Sequence, residues 1–172
     1  ELEGKINFGD LDLPKVRRLV MIQCVGSREP DHPYCSRLCC SQALKNALLL
    51  KERYPLMGIT ILYRDLRAYG FRESYYVKAK DQGVTFIPFE AARPIRVTAA
   101  RRRPLTVWVE DELLGQEVAL PADLVVLSTG IEPAAGSDNL AQQLRIAQTL
   151  DGWFQEAHQK LRPVDSATEG VF

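Results

Sequence analysis

Three apolar runs constrain most of what this chain can fold into. Arg18 to Val25 (RLVMIQCV), Ile59 to Tyr63 (ITILY) and Asp123 to Ser128 (DLVVLS) carry few polar residues, and the first and last lead into glycine turns. A strand wetted on one face alternates apolar with polar residues. Runs without that alternation predict strands covered on both faces, as in a parallel sheet. Between the first two runs, the periodicity predicts a helix from about Ser36 to Arg53, with Leu44, Ala47, Leu48 and Lys51 on one stripe and Pro55 stopping it. A helix over Glu73 to Gln82 and a short strand over Val84 to Pro88 follow. From Ile95 to Leu120 the texture changes to alternating stretches (IRVTA, LTVWVED, QEVAL), the pattern of an antiparallel meander. A short helix is expected over Asn139 to Leu144.

The order β-α-β-α-β, meander, β defines the expected fold class as α/β. It is a small parallel Rossmann-like sheet with crossover helices and an antiparallel β-meander, as in the NAD(P)-binding domain of two-dinucleotide flavoproteins. We expect three regions: residues 1–17 as an irregular linker, 18–135 as the Rossmann-like domain with a Cys-rich loop at 24–40, and 136–172 as a tail that begins with the short helix. The chain opens on Glu1-Leu-Glu-Gly and stops on the apolar Glu169-Gly-Val-Phe172, which reads as a piece excised from a larger protein, a processed mature chain being the alternative. Lys plus Arg equals Asp plus Glu at 22 each, so no overall field draws the chain to nucleic acid. No apolar run approaches the ~20 residues that span a bilayer.

All four cysteines, Cys24, Cys35, Cys39 and Cys40, fall in one segment with the spacing C-x10-C-x3-C-C. That segment stands where this fold needs G-x-G-x-x-G to let backbone amides approach a pyrophosphate. Only Gly26 remains of such a motif, so ordinary NAD(P) binding is not expected. Asp65, after the second strand, could be the ribose-binding acid, but with Arg64 beside it we read it as a solvated loop charge. Core cysteines do not gather on a polar loop with two prolines, and structural disulfides need an oxidising compartment that nothing here signals. A vicinal Cys39–Cys40 disulfide would be strained, hence a redox device. Four thiolates suit zinc or a [4Fe-4S] cluster. The C-x(2–4)-C pairs usual for zinc are missing, the amide dipoles of the helix start favour a cluster's negative charge, and Cys35 and Cys39 share a helical face if the helix begins that early.

At these residues the chain resembles the heterodisulfide reductase A-subunit family. The likeness lies in Gln23-Cys-Val-Gly-Ser-Arg28, Tyr34-Cys-Ser-Arg-Leu-Cys-Cys40, Ala43-Leu-Lys with Leu48-Leu-Leu-Lys-Glu-Arg-Tyr-Pro55, Tyr63-Arg-Asp-Leu-Arg-Ala-Tyr-Gly70, Ala122 to Gly130, Lys160 to Asp165 and Ala167 to Phe172. The resemblance implies a domain inserted in a thioredoxin-reductase-like flavoprotein, residues 1–17 being the linker from the flanking FAD domain and 136–172 the return segment toward it, with Cys24, Cys35, Cys39 and Cys40 ligating a [4Fe-4S] cluster that exchanges electrons with FAD. It implies that Thr129 and Gly130 lie near the flavin. It implies a cytoplasmic setting, partner subunits of a heterodisulfide-reductase-like or quinone-interacting redox complex, and leaves a homodimer open. The FAD-binding glycine motif and the ferredoxin-type motifs of that family are absent here, so the chain alone is expected to be inactive and to lack FAD. Two alternatives stay open: a metal-free docking module and a conventional NAD(P)-dependent reductase domain. His32, Arg28 and Arg37 read as exposed loop residues or as neighbours that tune a cluster, Arg101-Arg-Arg103 as a solvated hairpin tip, and His158 as a tail residue without a nameable partner.

Overall fold

The computed structural model describes residues 2–8, 12–100, 103–112 and 114–172, the side chains of residues 6–8, 100 and 103 excepted. In chain order the elements are α1 (Leu2–Phe8), β1 (Arg18–Val25), α2 (Cys39–Arg53), β2 (Gly58–Tyr63), α3 (Glu73–Asp81), β3 (Thr85–Pro88), β4 (Arg96–Ala100), β5 (Arg103–Asp111), β6 (Gln116–Ala122), β7 (Leu124–Thr129) and α4 (Ser137–Leu144). Four of them form a parallel sheet in the order β3-β2-β1-β7, and β4-β5-β6 form an antiparallel sheet.

The first apolar run is continuous because its two faces serve two cores. Leu19 and Met21 pack with Ala43, Leu44, Ala47 and Leu50 of α2, while Val20 and Ile22 face Val107, Val109 and Ala122 of the meander. Ile59 and Ile61 of β2 join the helical side and Leu62 the meander side. The sheet is thus a central layer between helices and meander, which is what unalternating strands require.

Three sequence expectations need correction. Residues 1–17 are not irregular throughout. α1 lies on α2, with Leu2 against the core and Glu3 accepting from Lys45 Nζ and Gln42 Nε2 at 2.6 Å each. Seven residues are too few for helical periodicity to show in the sequence. The helix expected from Ser36 starts at Cys39, because Arg37 sits in the left-handed region at φ 61° and interrupts it. β7, expected to be covered on both faces, is an edge strand, half-exposed along most of its length, with Leu127 53% exposed. With α1 and α2 it borders an open groove lined by Leu2, Leu38, Leu124, Val126, Leu127 and Ile131. Among the described residues no helix is long and apolar enough to cross a membrane.

Asp123 ties the sheet's entry edge. Its Oδ2 accepts from the Arg17 and Arg18 amides at 3.0 and 2.9 Å, and Arg18 Nη2 reaches Oδ1 at 3.4 Å. Partial desolvation pushes this carboxyl up, and the two amides with the Arg18 guanidinium outweigh it, so its pKa is lowered. A depressed carboxylate stabilises the fold above its unfolded pKa of about 3.9, and that contribution is lost as pH falls through the lower folded value. Asp123→Ala is expected to cost about 1 kcal/mol, lowering the thermal midpoint by roughly 2–4 °C at neutral pH. The difference from wild type should shrink below about pH 4, as differential scanning calorimetry across pH would show.

Candidate metal centre

β1 ends in a bulge. Its register against β7 shifts between Ile22 and Val25, and Cys24 inside that shift lies at φ 60°. A bulge re-aims the side chains of the strand it interrupts. Gly26 follows at φ 63°, Arg28 at 61° and Arg37 at 61°. Glycine enters this region freely, whereas each residue with a Cβ costs about 1–2 kcal/mol there. The loop is coiled back on itself by these turns and pinned there. The Ser27 hydroxyl and the Arg28 amide both donate to the Tyr34 carbonyl, at 2.9 and 3.2 Å, and Glu29 and His32 exchange backbone bonds. Beneath it stands Arg64, its side chain only 12% exposed, donating to the Arg28 carbonyl at 2.9 Å and to Glu29 at 2.6 Å, with its guanidinium over the Phe89 ring.

The result is that all four cysteines line one small pocket, together with Ser27, Arg28, Ser36, Arg37, Asp65 and Arg67. The pocket lies at the C-terminal ends of β1 and β2, beside the end of β7, where α2 begins. In open α/β sheets this is the crevice in which ligands bind. Cys39 and Cys40 occupy the first turn of α2, Cys24 comes from the bulge and Cys35 from the loop. Cys35 and Cys39 are therefore not neighbours on one helical face, contrary to the expectation from their spacing, since Cys35 precedes the helix.

Three of the sulfurs make polar contacts among the described residues. The Arg37 amide donates to Cys35 Sγ at 3.3 Å, Cys40 Sγ donates to the Asp65 carbonyl at 3.6 Å, and Cys39 Sγ lies 4.0 Å from the Thr129 carbonyl. Burial pushes the Cys39 thiol up; the Ser36 hydroxyl acts against it, and Cys24 and Cys35 add to it. Burial likewise raises Cys40, opposed by the Arg67 amide and reinforced by the other three sulfurs. The four sulfurs are thus electrostatic neighbours, and all are free thiols.

This donor set fits an anionic metal–sulfur group. Four thiols share a pocket at a helix N-terminus, Cys24 and Cys40 are buried, and Arg28, which also lines it, has its Nη1 buried without an acceptor among the described residues. Among the described residues no three His, Cys, Asp or Glu side chains are drawn to the spacing of a single metal ion's ligands.

The exit of β7 closes the pocket from the side. The Gly130 amide donates to the Val25 carbonyl at 2.8 Å, the Ile131 amide to Ser36 Oγ at 2.9 Å, and His32 Nε2 meets Glu132 at 3.2 Å. Thr129 and Gly130, expected near a flavin, stand against the cysteine loop. Ser36, Arg64 and Asp65 belong to this site although their sequence context does not announce it. Asp65 is an exposed loop charge, its side chain 54% accessible, and its carboxylate also pairs with Arg28 at 2.9 Å and Arg67 at 3.5 Å. The strand-end position of Arg64 and Asp65 is the one signal the sequence offers for them. His32 is half-exposed and paired, and His158 Nδ1 accepts from the Lys160 and Leu161 amides in a tail turn. Arg101 and Arg102 lie outside the described residues, so the hairpin tip is not described.

Fold and pocket together define a class: an α/β domain with a parallel sheet and an antiparallel meander, whose crevice at the strand ends is lined by four thiols. No family model matches the chain. It is 46% identical over 94% of its length to the A-subunit of ferredoxin:CoB-CoM heterodisulfide reductase of Methanosarcina acetivorans, covering 20% of that protein. It is 44% identical to the iron-sulfur A-subunit 2 of CoB–CoM heterodisulfide reductase of Methanopyrus kandleri, covering 25% of it. It is 41% identical to the A-subunit of the H(2):CoB-CoM heterodisulfide,ferredoxin reductase of Methanothermobacter thermautotrophicus, covering 26% of it. This chain is homologous to a segment of the heterodisulfide reductase A-subunit, and it spans about a fifth to a quarter of the length of these curated relatives. Its fold is shared with thioredoxin reductases of T. acidophilum (TM-score 0.52, 14% identity, 90% of this chain and 42% of that one) and Lactococcus lactis (TM-score 0.51, 16% identity, 90% and 42%).

Proposed function

We propose that this chain is an electron-transfer domain of a heterodisulfide-reductase-like flavoprotein. In this reading Cys24, Cys35, Cys39 and Cys40 hold a [4Fe-4S] cluster that exchanges electrons with FAD in a larger cytoplasmic redox complex. Residues 1–17 and 136–172 serve as connections toward the FAD domain, and Thr129 and Gly130 mark the side from which the flavin is approached. The observation that carries the reading is that four free thiols from three separate elements line one pocket at the sheet's ligand crevice. Free thiols suit a reducing compartment.

A bound cluster supplies one-electron chemistry. The chain supplies four thiolate ligands, the N-terminal amides of α2, and a loop held closed by Arg64 and by the β7 exit, which limits water at the sulfurs. Those features bind and tune, and none abstracts or delivers a proton. The partners under this reading are the other subunits of such a complex.

Replacing Cys39 and Cys40 together with serine in the full-length parent separates this reading from a metal-free docking role. Cluster and electron exchange with FAD should be lost while assembly with partner subunits, followed by pull-down, stays intact. Loss of assembly with the cluster retained would contradict it.

A further inference from the structure

The acid at the end of β2 is where a dinucleotide-binding fold presents the carboxylate that reads a ribose hydroxyl. Here Asp65 stands at the rim of the cysteine pocket, its carboxylate 54% exposed to water and tied to the pocket through its carbonyl and through Arg28. Its carbonyl accepts from Cys40 Sγ at 3.6 Å, and its carboxylate holds Arg28 Nη2 at 2.9 Å. Arg28 itself is fixed at every level. Its backbone is left-handed at φ 61°, its amide donates to the Tyr34 carbonyl at 3.2 Å, and its carbonyl accepts from Arg64 Nη1 at 2.9 Å. Its side chain is 26% exposed, less than the 45% of Arg67, the other cation that Asp65 contacts. Its Nη2 is engaged by Asp65, while Nη1 is buried and has no acceptor among the described residues. A buried cationic donor without a partner is a costly arrangement, and its natural counterpart in this pocket is the negative charge of metal-bound sulfur.

We propose that Arg28, held by Asp65, is a positioning residue that sets the reduction potential of the group bound by the four cysteines. The ribose-reading position of the fold thereby serves that cation in place of a nucleotide. The proposal rests on the cluster reading above. Reduction adds one negative charge to the pocket, so a nearby cation favours the reduced state and a nearby anion opposes it. Arg37 and Arg67 contribute charge of the same sign as Arg28, and Asp65 is the one carboxylate lining the pocket among the described residues. The two partners of a single ion pair are therefore expected to act in opposite directions.

The test is an EPR-monitored redox titration of the anaerobically reconstituted chain. Arg28→Met should shift the one-electron reduction equilibrium about tenfold toward the oxidised form, or about 59 mV more negative. Asp65→Asn should move it in the positive direction by a comparable amount, and Arg28→Lys should recover most of the wild-type value. Iron content should stay at the wild-type level in all three. A merely structural role would move both partners the same way, with lost iron and a lower thermal midpoint. Shifts of the same sign, or no shift in either variant, overturn the proposal. If Arg28→Met does not fold, Asp65→Asn decides alone, and the absence of a positive shift there overturns it. A wild-type chain that takes up no iron and sulfide brings down the cluster reading itself, which the iron assay distinguishes from a loaded but untuned pocket.

Discussion

Cys40→Ser should lower the iron retained after anaerobic reconstitution by more than about tenfold, the smallest effect ordinarily seen when even a group behind the ligands is removed. Cys40 is only 5% exposed in the first turn of α2, and its sulfur lies against the Asp65 carbonyl. A serine hydroxyl can donate to the same carbonyl, so the metal-free fold should survive. What it cannot supply at neutral pH is a soft anionic donor in place of a thiolate. Ser41→Ala is the control. Its hydroxyl, one residue further along the helix, faces Arg72 at 3.4 Å and lies outside the pocket, so iron content should not change. Equal iron in Cys40→Ser and wild type would remove Cys40 from the ligand set.

Gly130→Ala should be nearly as damaging, by a different route. A Cβ at residue 130 would lie 2.6 Å from the Gly26 carbonyl oxygen, 3.3 Å from its carbon and 3.2 Å from Ser27 Cβ. Two of those three atoms are backbone, and the Gly130 amide is bonded to the Val25 carbonyl at 2.8 Å, so no rotamer relieves the clash. Overpacking of this kind costs about 1–3 kcal/mol, which lowers the thermal midpoint by roughly 2–12 °C in a chain of this size. The backbone that must give way carries Cys24 to Ser27, so cluster retention should fall with stability. Gly58→Ala, whose new Cβ would meet only ordinary contacts at 3.6 and 3.9 Å, should leave both unchanged. Thermal melts and iron assays on the two variants check this, and a Gly130→Ala protein that melts and loads like wild type would show that the loop and the β7 exit are not in contact.

The sheet is legible in the sequence because β1 buries alternate residues in two different cores, and a strand with one wet face would break such a run with polar residues. The meander is legible because its strands alternate. α1 is not, since its identity comes from contacts of Leu2 and Glu3 with α2 and not from any periodicity. The exposed face of β7 is also hidden, because DLVVLS reads the same in an edge strand as in a central one. At the site, the clustering of cysteines can be seen directly. The left-handed turns at Cys24, Arg28 and Arg37 cannot, as none of these residues advertises such a conformation. Those turns decide that Cys35 joins the pocket from a loop and that helix α2 begins only at Cys39. Arg64 and Asp65 stand out for their place after β2, yet the pairs Arg64–Glu29 and Asp65–Arg28 cannot be read there, because those partners lie more than thirty residues away in the folded loop.

The cluster reading stands or falls on the iron and sulfide content of the wild-type chain, reconstituted without oxygen and paired with its EPR spectrum after reduction. Expected are about four irons and four sulfides per chain, a brown protein with the signal of a reduced [4Fe-4S] centre, and four thiols protected from alkylation. A colourless protein that instead binds one zinc tightly through the same thiols would contradict it.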